Sequence, residues 1–133
     1  MAQSPTITPT LQYADAKAAI RQLTEAFGFT ETALYESEGG VVEHAELAFG
    51  NGVVMVSSKG RGGAFDQAMK NAGPFGLFIH VDDVDGHHGR AVEHGVEILM
   101  PPTDQDYGAR DYMARDLEGN VWSFGSYSPQ AAS

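Results

Sequence analysis

Residues 7–28, ITPTLQYADAKAAIRQLTEAFG, decide the fold once they are set beside residues 77–95, LFIHVDDVDGHHGRAVEHG. Each stretch opens on an extended run, Ile7–Tyr13 or Leu77–Val81. An aspartate follows, Asp15 or Asp83, then a helical segment that stops at Gly28 or Gly95. An aspartate just ahead of a helix accepts hydrogen bonds from its first free N–H groups, and a glycine just past the end takes the left-handed turn that closes it. In the first stretch Ala19, Ile20, Leu23 and Phe27 fall at helical spacing, which predicts a helix over 16–27. The second carries a thinner stripe of Val84, Ala91 and Val92, and Gly86 and Gly89 each weaken it by roughly 1 kcal/mol. From Asp15 to Asp83 the two copies are offset by 68 residues.

Short extended runs follow each helix. The first half gives Glu31–Ser37, Val41–Phe49 and Val53–Ser57; the second gives Glu97–Met100, Tyr112–Arg115 and Val121–Gly125. Gly50-Asn51-Gly52 between two apolar runs signals a hairpin, and centring the turn on Asn51-Gly52 pairs Gly50 with Val53 and Ala48 with Met55. Asp116–Asn120 makes the equivalent connection with a longer loop. Each half therefore reads β-α-β-β-β, an internal repeat within an α+β fold. The expected layout is one domain over 1–133, with module one at about 6–58, a Gly-rich linker or flap at about 59–75 and module two at about 76–127. Side by side, two such modules would form a curved mixed sheet around a cavity, with the helices outside.

Composition narrows the partners. The 133 residues include 18 Asp+Glu against 8 Lys+Arg, a net charge of −10, and no cysteine. Disulfides, thiolate metal sites and cysteine nucleophiles are excluded. The acidic balance disfavours nucleic acid, whose affinity rests on Lys and Arg neutralising phosphates. No apolar run approaches the roughly 20 residues of a membrane span. MAQSPTITPT lacks a basic start and an apolar segment, so the expected location is the cytoplasm, with no membrane partner. Lys59-Gly60-Arg61-Gly62-Gly63 looks like a phosphate cradle but lacks the strand-to-helix context, and reads as a flexible segment.

Three stretches in order carry a family resemblance: Ala26-Phe27-Gly28-Phe29, Val81-Asp82-Asp83-Val84-Asp85, and Tyr107-Gly108-Ala109-Arg110-Asp111-Tyr112 followed by Arg115–Gly125, RDLEGNVWSFG. From Ile7 to Tyr127 the chain resembles the vicinal oxygen chelate superfamily, the glyoxalase / bleomycin-resistance / dioxygenase group. The resemblance implies paired βαβββ modules forming a concave sheet, a homodimer, and in the metal-bound enzymes a divalent ion held by one inward residue from the first and last strand of each module. Carried over, those positions are Thr8, Met55, Gly76 and Ser123. None supplies imidazole or carboxylate, so the usual metal site is expected to be missing.

Strand alternation gives the expected inward set. With Met55 inward, so are Ala48, Glu46 and His44; the same parity puts Arg110, Tyr112 and Ala114 with Ser123, and the first strands add Thr8, Thr10, Gln12, Gly76, Phe78 and His80. Trp122 then points to the helices. His44, Glu46, His80 and Arg110 would orient an organic ligand, with Glu46 and Arg110 also able to pair with each other. Phe78, Tyr107 and Tyr112 would stack on a planar one. His87, His88 and His94, on the second helix, read as structural.

The first functional reading is a small-molecule-binding member resembling the drug-sequestering branch, without cofactor, its ligand small, organic and cationic or aromatic. The alternative is a metal-dependent lyase, isomerase or dioxygenase with a displaced divalent ion at His44, Glu46 and His80, or metal-free acid–base chemistry by the candidate catalytic residues Glu46 or His80.

Overall fold

The computed structural model describes residues 5–130. They fall into two compact units, the first running to Gly73 and the second starting at Pro74. The first unit contains β1 (Thr10–Tyr13), α1 (Ala16–Glu25), β2 (Thr30–Glu36), β3 (Val42–Phe49), β4 (Gly52–Ser58) and a short α2 (Ala64–Ala68). The second contains β5 (Gly76–His80), α3 (Val84–Glu93), β6 (Glu97–Asp104), β7 (Arg110–Arg115) and β8 (Val121–Gly125). Each builds a four-stranded mixed sheet of the same topology, β1-β4-β3-β2 and β5-β8-β7-β6. The first and last strands of a module run parallel side by side, and the other pairings are antiparallel. Among the described residues no helix is long and apolar enough to cross a membrane.

The caps work as the sequence leads one to expect. The Asp15 carboxylate accepts from the Ala18 N–H at 3.1 Å, and the Asp83 carboxylate from the Gly86 N–H at 2.9 Å. Gly28 and Gly95 close the helices at φ +85° and +75°. Ala16, Ala19, Ile20 and Leu23 of α1 are buried with Leu11, Tyr13, Ala45, Leu47, Val54 and Val56 of the sheet. In the second unit Val84 and Ala91 of α3 are buried with Tyr112, Ala114, Trp122 and Phe124.

The two glycines of α3 differ in role. A Cβ at Gly86 would collide with the capping carboxylate of Asp83, so glycine keeps the cap seated. At Gly89 a Cβ would meet nothing within 4 Å. Gly89→Ala is therefore expected to stabilise the protein by about 0.5–1 kcal/mol, seen as a higher urea midpoint with an unchanged slope.

Two details of register set the faces. The hairpin pairs Phe49 with Gly52 and Glu46 with Met55, so the turn residues are Gly50 and Asn51, and it is Gly50 that takes positive φ, +57°. This is two residues away from the expected pairing, so the facing of His44, Glu46, Ala48 and Met55 is preserved. In the second unit the facing changes. Met113 pairs with Ser123 and Tyr112 with Phe124, because the β7–β8 connection makes the strand partners one residue further apart than in β3–β4. A one-residue slip turns every side chain to the opposite face. Arg110, Tyr112 and Ala114 thus lie on the helix side, and Asp111, Met113 and Arg115 take the face expected for them.

Trp122 is fully buried, and its indole N–H donates to Asp116 at 2.9 Å. The same carboxylate accepts from the backbone N–H groups of Glu118 and Asn120, at 2.9 and 3.0 Å. One buried acid therefore ties the loop between β7 and β8 to the core tryptophan.

Candidate functional site

In each unit most of the candidate residues lie on the sheet face turned away from the helix. On the first, a row crosses three strands: Thr10 beside Met55 on β4, and Met55 beside Glu46 on β3. The next row holds Gln12 beside Ser57. His44 and Glu46, two residues apart on one strand, form a direct pair with Nε2 and Oε2 at 2.7 Å. Tyr35 on β2 stands opposite His44, ring centroids 6.2 Å apart. A bulge at Glu43 lets Val42 join Ala45 and Leu47 in the core while His44 stays on the open face.

On the second unit the matching row is Phe78, Ser123 and Met113. Phe78 packs edge-on against Tyr127 at 6.4 Å, and Tyr127 edge-on against Tyr107 at 5.8 Å. The three rings are 39%, 50% and 64% exposed, an unusual amount of aromatic surface to leave in water. His80 sits at the base of this cluster, one ring nitrogen 3.2 Å from the Tyr127 carbonyl and the other 3.1 Å from Asp82. Sequence reasoning named Phe78 and Tyr107 but missed Tyr127, although residues 123, 125 and 127 share one parity and the tyrosine follows directly from Ser123.

Gly125 makes the cluster possible. A Cβ there would lie 2.6 Å from Asp111 Cβ, 3.1 Å from the Arg110 carbonyl and 3.2 Å from the Phe78 ring. Gly125→Ala is expected to cost about 1–3 kcal/mol and to displace Phe78, read as a lower thermal midpoint and shifted aromatic proton resonances.

Two expected residues do not belong to this surface. Tyr112 is fully buried; it lies 2.5 Å from His87 Nδ1 and stacks on Phe124 at 5.3 Å. Burial pushes its phenol well above the usual range, so it stays neutral. Arg110 pairs with Asp85 at 2.8 Å and Asp104 at 3.0 Å, both in its own unit. His87 and His88 pack against Tyr112 from α3.

The donor set does not suit a divalent ion. The strand partner of Met55 is Thr10 rather than Thr8, and that of Ser123 is Phe78 rather than Gly76. With either pair of first-strand residues, no imidazole or carboxylate enters the set. His44 is engaged by Glu46 and His80 by Asp82, and among the described residues no group of three or more His, Cys, Asp or Glu could hold a metal ion.

A groove of about 360 Å³ adjoins the open face of the first unit, running from Gln12 to the segment after β4, with Lys59, Asp66, Met69 and Lys70 on its walls. The Asp66 carboxylate accepts from the Gly60 N–H at 2.9 Å, the Gly62 N–H at 3.3 Å and the Gln12 amide at 3.4 Å. These bonds, that from Gly60 foremost, hold its pKa below the usual carboxylate range. The glycine-rich stretch that looks like a phosphate cradle thus wraps an acid of its own chain.

Two tandem βαβββ units of the same strand order define a class of fold. The chain belongs to the Glyoxalase/Bleomycin resistance protein/Dioxygenase superfamily, whose model matches residues 6–124. Among solved structures it is similar to TioX from Micromonospora sp. ML1, with 30% identity, 92% of this chain and 98% of that one covered, and a TM-score of 0.77. TnmS3, an antibiotic binding protein from Streptomyces sp. CB03234, shares the fold at 23% identity and a TM-score of 0.70, over 93% of this chain and 96% of that one. An uncharacterized protein of Mycobacterium bovis, Mb0911c, is 28% identical over 125 residues, 91% of this chain and 82% of its own.

Proposed function

We propose that the protein binds a small, planar organic molecule on its open sheet faces and holds it without a metal ion. The observation that carries this reading is the partly exposed ring cluster Phe78–Tyr127–Tyr107. Rings presented edge and face to solvent gain most by covering a flat apolar ligand. The side chains of Ser123 and His80, in the same unit as the rings, supply polar groups that orient it. The antibiotic-binding description of TnmS3 supports the same class of activity. In this reading the two modules act as one domain, and the chain works in the cytoplasm as a homodimer. It takes neither nucleic acid nor membrane as partner, as the net charge of −10 favours.

A panel of polycyclic aromatic compounds tests it by thermal shift and calorimetry. A true ligand at a hundred times its Kd stabilises the native state by about 2.7 kcal/mol. The absence of any shift across the panel, or a stoichiometric divalent ion retained through purification, would sink the proposal. One observation favours a second reading, metal-free proton transfer: the 2.7 Å contact between His44 and Glu46 gives an imidazole with a carboxylate to orient it. In that case Glu46→Gln would abolish turnover of a bound compound while leaving its affinity in place.

A further inference from the structure

We propose that the groove beside Gln12 binds the anionic group of a small organic acid, with Lys59 and Lys70 as its counter-charges and Met69 against its apolar part. This site is independent of the aromatic cluster and lies wholly within the first unit.

The first support is charge. Among the described residues neither Lys59 nor Lys70 has a carboxylate within 4.0 Å, whereas Lys17 pairs with Glu36 at 3.0 Å. Both ammonium groups line the same groove, so their charges add there. Arg61, next to the groove, is already taken by Glu43 at 3.0 Å.

The second support is Asp66. It is the acid on the groove wall, yet its two oxygens already accept the Gly60 and Gly62 N–H groups and the Gln12 amide. A carboxylate so engaged directs little of its charge outward, and the positive groups of the rim prevail. The third support is shape and polarity. A volume of about 360 Å³ suits a ligand of a few carbons plus a charged head, and Met69, 38% exposed, gives an apolar wall. The net charge of the chain points to cationic ligands; the local charges of this groove point the other way.

Hexanoate, hexanamide and hexylammonium, equal in length and different in charge, are the probes, titrated into the full chain and followed by amide chemical shifts. Hexanoate is expected to bind in the millimolar range, to shift the amides of Gly60, Gly62 and Lys70, and to weaken as salt is raised from 20 to 500 mM, about 5-fold or more. Hexanamide should bind at least 10-fold more weakly and hexylammonium not at all. The K59Q/K70Q double variant should lose at least 10-fold in hexanoate affinity, and K59R/K70R should keep it. Equal binding of hexanoate and hexanamide, an unchanged affinity in the glutamine variant, or shifts confined to residues outside the groove would each overturn the proposal. The probes carry no ring, and Phe78→Ala should leave hexanoate binding as it is, so a failure here is separable from a failure of the aromatic reading.

Discussion

Trp122→Ala unfolds at a much lower urea concentration than the parent chain, with an expected loss of roughly 3–5 kcal/mol. The indole is fully buried, packs edge-on to Phe75 at 5.9 Å and donates to Asp116 at 2.9 Å. Truncation leaves a large cavity and also strips a buried carboxylate of one donor. A domain of this size has only about 5–15 kcal/mol to lose, so the variant is expected to be partly unfolded at 37 °C. Trp122→Phe separates the two contributions: it keeps most of the volume, removes the N–H, and should cost about 1–3 kcal/mol. Equilibrium denaturation followed by circular dichroism reads both values. A normal melting curve for the alanine variant would mean that the facing of β8 is reversed.

Phe78→Ala and Tyr127→Ala act on binding rather than on folding. Each ring removed is expected to cost about 2 kcal/mol of ligand affinity, close to 30-fold in Kd, as for aromatic anchors at the centre of a contact surface. Because 39% of Phe78 and 50% of Tyr127 is already in water, the folded state should survive either change. The double variant should lose more than either single one but less than their sum, since the two rings touch each other. Calorimetry with a compound found in the aromatic panel measures this. An unchanged Kd in the double variant would place the ligand elsewhere.

The repeat was legible because its signals are local. Asp15 and Asp83 cap, Gly28 and Gly95 stop, and the strands between follow alternation, so the order of the repeated elements came through, while the short α2 lies in the stretch read as a linker or flap. Facing on the first sheet also survived a misplaced turn, because the error was an even number of residues. It failed on β7, where the parity was transferred by internal symmetry across a connection that had gained one residue. That moved Tyr112 from an expected ligand contact to the core and replaced it with Met113. Longer-range partners were out of reach for another reason. Nothing in the order of residues shows that Arg110 meets Asp85 and Asp104, or that Asp66 reaches back to Gly60 and Gln12. Such choices depend on how loops lie over a finished sheet.

The parallel placement of β1 against β4 and of β5 against β8 also bears on how quickly the chain finds its structure. Thr10 must wait for Met55, and Phe78 for Ser123, so neither sheet can be completed until its own last strand has left the ribosome. Every such wait ends within one half of the chain, however, which limits the loops to be closed and lets the earlier half finish its ladder while the later half is still being synthesised.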